Sequence, residues 1–216
     1  GDAQGTDPNF EAPSSWRSNL ALDFVTASGY SVTLEMNRDR VDQGVFYKDL
    51  QLTSTGTTRA DGRPVYSSAS PDLYLTNSSQ GSADAFSFTI AKSFGDLKAM
   101  YAFSSVDAKD VYPLTSAQAE GVYGNTQRWD GENLKARPSN YMIDSKQILS
   151  LDYTTQIFGQ NDTRFSLVYV RKSGERFSVV FDEVGSNSVG GSPNFYADNS
   201  LAYIPTGATD PNVVFT

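Results

Sequence analysis

The feature of this sequence that most restricts its fold is the alternation of apolar with small or polar residues in six segments. In residues 30–37, for example, Tyr, Val, Leu and Met alternate with Ser, Thr, Glu and Asn. Successive side chains of a β-strand point to opposite faces, so this pattern predicts antiparallel strands with one apolar face. The predicted strands cover about residues 19–26, 30–38, 84–94, 97–106, 147–156 and 163–172.

Helix signals are weak by comparison. The one candidate is a short turn at 115–120, which Gly121 would end. No run of the chain approaches the roughly 18 apolar residues of a transmembrane helix. The sequence therefore predicts an all-β fold.

The connections between the predicted strands alternate between short and long. Short connections lie at 27–29 and 95–96, with a third over the six residues 157–162. Long segments cover 39–83, 107–146 and 173–216. Outer-membrane β-barrels have short periplasmic turns and long extracellular loops, whereas structureless connections of about 40 residues are uncommon in soluble domains. We therefore expect a segment of an antiparallel transmembrane β-barrel, although the alternation alone fits a soluble β-sandwich equally well.

The residues of the apolar face suit contact with a lipid bilayer. Tyr30, Phe94 and Phe24 lie beside the short connections, where aromatic girdles meet the membrane surface. Lys92 is the exception on this face, and it lies two residues from Phe94. A lysine at that position can extend its ammonium group to the lipid headgroups.

Composition removes several classes of function. The chain has no Cys and no His, which excludes disulfides, a Cys nucleophile, a zinc cage and a Ser-His-Asp triad. The net charge of −8 argues against a nucleic-acid partner, because phosphates attract basic surfaces. Apolar residues make up only 38% of the chain but aromatic residues 12%, as expected if half of each strand faces water and the rings lie at the membrane surface.

The long loops contain two clusters of side chains suited to contact a ligand. Aromatic and arginine side chains dominate recognition sites. The candidates are Arg59, Arg63 and Tyr66 in the first long loop, and Arg128, Trp129 and Asp130 in the second. The alternative is that these residues only pack the loops against each other.

Catalytic and metal-binding patterns are scarce. Asp182 and Glu183 are adjacent, so on a strand they would point to opposite faces and could not act as an acid/base pair. Asp39, Asp42 and Gly44 suggest a calcium loop, but Val41 stands where that motif needs Asp or Asn. Calcium held by carboxylate and backbone oxygens of the acidic loops stays open. We expect no enzyme and no cofactor.

A glycan-active enzyme is a remaining alternative. It would have to use carboxylates on the polar side of the strands, namely Asp23, Glu35 and Asp152.

Six short segments are similar to one protein family. They are Asp7–Asp23, Gly29–Glu35, Val45–Leu50, Asp61–Tyr66, Ser173–Ser178 and Asn199–Pro205. These segments resemble stretches inside the barrel of TonB-dependent outer-membrane receptors. The branch they resemble is the Oar-like one, whose chains carry an N-terminal carboxypeptidase-regulatory-like domain. The resemblance covers about residues 7–215.

The resemblance implies a barrel of about 22 strands in the outer membrane of a Gram-negative bacterium. It also implies transport of an external ligand past a plug domain, driven by TonB, without covalent chemistry. The plug and the TonB-binding part are N-terminal in that family and have no counterpart here. Six strands cannot close a transmembrane barrel, for which about eight is the minimum. We therefore expect a fragment of a receptor barrel, with a secreted or surface β-sandwich binding or adhesion module as the alternative.

Overall fold

The structure, a computed structural model, describes residues 4–67, 72–112, 114, 116–131, 133–180 and 200–212. This part of the chain is all-β and mostly antiparallel, which confirms the predicted all-β fold. The adjacent acids Asp182 and Glu183 lie outside the described residues. Among the described residues, no helix is long and apolar enough to cross a membrane.

The described residues form eleven strands and one short helix. The strands are β1 (Gln4–Thr6), β2 (Ser14–Val25), β3 (Ser31–Asp49), β4 (Thr53–Thr58), β5 (Pro64–Ser67), β6 (Leu73–Ser78), β7 (Ser82–Phe94), β8 (Leu97–Asp110), β9 (Arg137–Pro138), β10 (Ser145–Phe158) and β11 (Asn161–Lys172). The helix α1 (Ala119–Gly124) lies between β8 and β9. The six predicted strands correspond to the six long ones, and each of the six extends beyond at least one of its predicted ends.

The six long strands form an antiparallel meander in which each strand pairs with the next one along the chain, in the order β2-β3-β7-β8-β10-β11. Among the described residues, β2 pairs only with β3 and β11 only with β10. Both are edges of the sheet, and the strands as described do not close into a barrel.

The pairing places most of the large apolar residues of the six strands on one face. One row across the sheet consists of Phe24, Val32, Ile90, Tyr101, Leu149 and Tyr169. Large apolar side chains on this face are exposed on the outer strands, with Leu22 at 54% on the first strand and Phe165 at 53% on the last, whereas most of those on the central strands are half-buried. We call this surface, from the row through Met36 and Phe86 to the short turns, the apolar face.

The predicted long loops contain regular structure. In the segment 39–83, β3 continues to Asp49 and is followed by the β4–β5 hairpin and β6. In 107–146, β8 continues to Asp110, and α1 and β9 follow. The prediction that these segments are loops without regular structure is wrong. Their sequences show little alternation of apolar and polar residues, but their strands form by pairing with strands that are distant in the sequence. The structure describes 173–180 and 200–212 of the third long segment.

Two local predictions also need correction. The connection at 157–162 is a turn of two residues, because β10 and β11 stay paired as far as Phe158 and Asn161, with Gly159 at φ +67°. The helix runs over Ala119–Gly124 and includes Gly121 instead of ending there. A Cβ at Gly121 would lie 2.5 Å from Ser116 Oγ, so close packing accounts for the glycine.

The remaining elements pack together at the end of the sheet opposite the short turns. We call β1, β4–β6, α1, the described residues of 111–136 and residues 200–212, with the ends of β3 and β8 that they contact, the loop unit. Its apolar core consists of Phe46, Leu73, Tyr112, Val122, Tyr123 and Leu134. Inside it, the hydroxyl of Tyr112 donates to the carbonyl of Tyr47 at 2.6 Å, and burial raises the pKa of Tyr112.

Strand β3 joins the two parts of the molecule. Its residues Ser31–Arg40 pair with β7 in the meander, whereas Gly44–Asp49 pair with β6 of the loop unit. Strand β1 then pairs parallel with β6. The loop unit is therefore fixed to the sheet by continuous strand pairing.

Candidate functional site

The β4–β5 hairpin positions the first cluster of predicted ligand-contact residues. Its turn is closed by the amide of Arg59, which donates to the carbonyl of Arg63 at 2.8 Å. Gly62 has φ +82°, a conformation that favours glycine, and its amide donates to the carbonyl of Arg59 at 2.9 Å. The Asp61-Gly62 pair thus makes the turn that places Arg63 directly before β5 and Tyr66 on that strand.

Arg63 is directed inward and is only 1% exposed. Its Nε and Nη2 lie 2.7 Å and 2.5 Å from Asp61 Oδ2, and its Nη1 donates to the carbonyl of Leu201 at 2.5 Å. Burial acts to raise the pKa of Asp61. The hydrogen bonds and positive charge of Arg63 outweigh burial and hold that pKa below its usual value.

Arg128 has a similar role beside the helix α1. It is 1% exposed, its Nε donates to the carbonyl of Thr126 at 3.2 Å, and its Nη2 donates to the carbonyl of Tyr123. Its guanidinium carbon lies 4.0 Å from the centroid of the Tyr123 ring. The carbonyl of Arg128 also accepts a hydrogen bond of 3.0 Å from the amide of Leu201. Both arginines therefore hold the backbone of Leu201.

Trp129 and Asp130 connect the two clusters. The guanidinium carbon of Arg63 lies 4.4 Å from the centroid of the Trp129 ring. The centroids of the Trp129 and Tyr203 rings are 6.3 Å apart, and the two ring planes are tilted relative to each other. The hydroxyl of Tyr66 donates to Asp130 Oδ1 at 2.7 Å. The structure thus brings together Arg63, Tyr66, Arg128, Trp129 and Asp130, although the two clusters lie about 60 residues apart in the sequence.

The contacts of these residues are mainly between loops. The guanidinium of Arg63 joins the β4–β5 turn to Leu201, and that of Arg128 binds backbone carbonyls of α1 and of Thr126, as the alternative of loop packing predicts. Trp129 and Asp130 are half-buried and line a cavity of about 70 Å³, together with the exposed Lys135 and Arg137. Such a volume holds only a few water molecules. The ligand-contact prediction therefore depends on the exposed parts of Trp129 and Asp130, and of Arg59, which is half-buried at the β4–β5 turn.

Sequence reasoning missed the contribution of residues 200–212. Asp210 accepts hydrogen bonds from the amides of Thr206 at 2.8 Å and Asn212 at 2.9 Å, and from the hydroxyl of Tyr203 at 2.7 Å. These bonds, with the two amides first, lower the pKa of Asp210 to about 2. The Asp-Pro-Asn sequence at 210–212 is a turn signal that could have identified this loop.

The residues considered for calcium binding lie in an extended strand. Asp39, Asp42 and Gly44 belong to β3, where Asp39 pairs with Arg17 at 2.7 Å and Asp42 accepts a hydrogen bond from Ser14. In the described part of the chain, no three acidic residues form a group that could hold a metal ion.

The carboxylates on the polar side of the sheet make cross-strand hydrogen bonds. Asp23 accepts from Thr33 Oγ1 at 2.6 Å, and Glu35 accepts from Asn19 Nδ2 at 2.7 Å. Asp152 is bonded to a neighbouring arginine and serine of β11. Each of the three carboxylates thus has a structural partner on an adjacent strand.

The apolar face ends in a belt of charged residues at its boundary with the loop unit. The belt consists of Arg38, Arg40, Asp84, Asp107 and Lys109, which continue the same alternation on β3, β7 and β8. Arg40 Nη2 lies 2.6 Å from Asp84 Oδ2. Between the belt and the short turn, the face extends along β7 from Phe86 to Phe94, about 27 Å along the strand and about 20 Å for a strand tilted by 40°.

At the short-turn end, the apolar face carries one lysine among aromatic rings. Lys92 Nζ lies 4.3 Å from the centroid of the Tyr30 ring and 4.9 Å from that of Phe94. The two rings make an edge-to-face contact at 6.3 Å. Comparison with known proteins finds no matching protein-family model, curated protein or solved structure for this chain.

Proposed function

We propose that this chain is a segment of the β-barrel of an outer-membrane receptor or transporter, of the TonB-dependent, Oar-like type that its sequence resembles. The apolar face would contact lipid, and the loop unit would face the outside of a Gram-negative cell and capture a ligand. The observation that carries the proposal is an apolar face that crosses all six strands of one meander and has exposed large side chains on five of them, the exception being β8, where they are half-buried.

The extent of that face supports contact with a membrane. A soluble monomer rarely exposes an apolar patch larger than a few hundred Å², and each Å² left in water costs about 25 cal/mol. A lipid bilayer would cover the whole face at once. The height of about 20–27 Å between the charged belt and the short turns is comparable with the apolar band of about 25 Å in outer-membrane barrels.

The two edges of the meander support a place within a larger barrel. Every residue of β2 is exposed, and β2 and β11 each leave one side without a strand partner in the described chain. Open edges expose backbone N–H and C=O groups, which lipid cannot satisfy. Further strands would pair with both edges, and the parts that bind TonB and form a plug would belong to the same larger protein.

The loop unit would supply ligand recognition without covalent chemistry. Its strands and helix hold Trp129 and Asp130 half-buried at the surface, with Lys135 and Arg137 nearby. Aromatic and arginine side chains provide much of the binding energy at recognition sites. The loop unit would therefore keep a preformed surface in place while the sheet spans the membrane.

Vesicle flotation tests this proposal. The protein is diluted from urea into lipid vesicles and, in parallel, into buffer alone, and β-structure is measured by circular dichroism. We expect the protein to float with the vesicles as β-structure and to aggregate in buffer. A folded, soluble monomer in buffer without detergent would overturn the proposal.

A second candidate function is a soluble β-sandwich that acts as a binding or adhesion module. Apolar residues on the other face of β10 and β11 favour it, because Val168 is 62% exposed there beside Ile148 and Val170. In a sandwich, a second sheet would cover an apolar face. This candidate predicts reversible, cooperative unfolding in plain buffer, and failure to refold without lipid or detergent would count against it.

A further inference from the structure

The cation at the short-turn end of the apolar face suggests a specific lipid contact. We propose that Lys92 binds the phosphate of an anionic phospholipid headgroup in the leaflet at the level of the short turns. This inference rests on the proposed membrane location and names one partner of the apolar face. It assigns Lys92 a role in binding beyond reaching the membrane surface.

The surroundings of Lys92 hold its ammonium group at the surface of the sheet. Tyr30 and Phe94 lie beneath the ammonium, and the rings attract a cation through their negative faces. Directly across the strand pair from Lys92 lies the small side chain of Ala99. Lys92 is half-buried on the apolar face, and its contacts with the two rings keep the ammonium near the turn.

No described carboxylate neutralises the charge of Lys92. Among the residues that the structure describes, no carboxylate lies within salt-bridge distance of its ammonium group. In the charged belt, by contrast, Arg40 forms a salt bridge with Asp84, and Lys109 forms one with Asp107. An unpaired cation next to apolar residues is costly to desolvate. A lipid phosphate would supply the missing negative charge.

The other face of the same hairpin provides a comparison. Lys98 lies one residue after the start of β8 and points to the polar face, where its cross-strand partner is Asp152. It therefore shares the turn with Lys92 but lies on the opposite side of the sheet and opposite an acid. A role that depends on facing lipid should belong to Lys92 and not to Lys98.

A lipid phosphate fits this position better than a free phosphate ion. Phe94, which is exposed, and Leu97 on the next strand lie beside Lys92 on the same face. Acyl chains would cover these apolar residues while the headgroup reaches the ammonium. A free phosphate would gain only one charge contact at a site open to its surroundings, where such a contact is weak.

Native mass spectrometry of the intact, detergent-solubilised protein tests the inference. Phosphatidylglycerol or phosphatidylcholine is added, and bound lipid is counted for the natural protein and for Lys92→Met, Lys92→Arg and Lys98→Met. We expect the natural protein, Lys92→Arg and Lys98→Met to bind phosphatidylglycerol about five-fold more tightly than Lys92→Met does. Binding of phosphatidylcholine should be the same for all four proteins.

Three results would overturn the inference. These are equal phosphatidylglycerol binding by Lys92→Met and the natural protein, an equal loss in Lys98→Met, and displacement of the lipid by excess inorganic phosphate. The last would indicate a site for a free anion. Vesicle flotation of the natural protein and of each variant is measured separately, so that failure of the natural protein to enter the membrane, which would overturn the proposed function, is distinguished from loss of lipid selectivity in a variant.

Discussion

At Arg63, the fold buries a guanidinium that the sequence places in an apparently open loop. The side chain forms an ion pair with Asp61, two residues away, and a hydrogen bond to the carbonyl of Leu201, 138 residues away. The first contact is local and follows from the Asp-Gly turn. The second depends on how three distant segments pack, which no local pattern in the sequence records.

Replacing Arg63 with Met should therefore destabilise the loop unit strongly. The substitution leaves the buried carboxylate of Asp61 and the carbonyl of Leu201 without this donor, which costs about 3–5 kcal/mol for a buried pair. Unfolding in urea can be followed through Trp129 fluorescence in a Trp16→Phe background, since these are the two tryptophans of the chain.

Arg17 provides a matched control for this substitution. Its Nε and Nη2 contact one oxygen of Asp39 at 2.8 Å and 2.7 Å, almost as Arg63 contacts Asp61, but its side chain is 75% exposed. We expect Arg17→Met to cost less than about 1 kcal/mol. Equal losses for the two substitutions would contradict a specific role for the buried ion pair.

At the scale of elements, alternation predicted the six strands of the meander but not the full length of β3. The predicted strand ended at 38, where its apolar positions give way to Arg38 and Arg40. The observed strand continues to Asp49 because it changes partner from β7 to β6. Backbone pairing maintained this strand where the side-chain pattern no longer indicated it.

The residues of the candidate site were predicted from the sequence as a set, but the sequence did not predict that they would form a buried cluster.

The change of partner along β3 depends on Gly81. This residue lies between β6 and β7 at φ +133°, and a Cβ there would lie 2.7 Å from Val41 Cγ2. We expect Gly81→Ala to cost about 2–5 kcal/mol, from the unfavourable backbone angle and the overpacking together. Hydrogen exchange should increase at Gly44–Asp49 and in β6, because these segments pair beside the altered residue.

Gly62→Ala separates the two causes. Gly62 also has a positive φ, but a Cβ added there would meet no atom within 4 Å. It should lose only the backbone contribution, about 1–2 kcal/mol. If both alanine substitutions lower the free energy of unfolding equally, the Val41 side chain must move to make room for the new methyl group. Close packing would then not explain the glycine at position 81.

At the scale of the whole molecule, the two faces of the meander differ in chemistry while both are open in the described chain. Alternation predicted that difference directly, because one residue in two is apolar along each strand. It could not predict what covers the apolar face, since a bilayer and a second sheet both accept the same residues. Alternation could not predict the loop unit either, because the core of that unit joins Phe46, Tyr112 and Leu134 from segments distant in the sequence.

Introducing an arginine on each face of β2 in turn distinguishes a lipid bilayer from a second sheet as the cover of the apolar face. Leu22 lies on the apolar face opposite Leu34, whereas Ala21 lies on the polar face opposite Glu35, where an arginine would meet an acid. If lipid covers the apolar face, Leu22→Arg should lose about 2–4 kcal/mol of stability in vesicles, and Ala21→Arg should be nearly neutral. Folding in vesicles is measured for both variants by urea titration.

Equal stability of the two variants in vesicles would contradict a lipid-facing surface. A loss for Leu22→Arg in plain buffer, by a protein that folds there, would instead indicate a second sheet, because burial of the charge against protein requires no membrane.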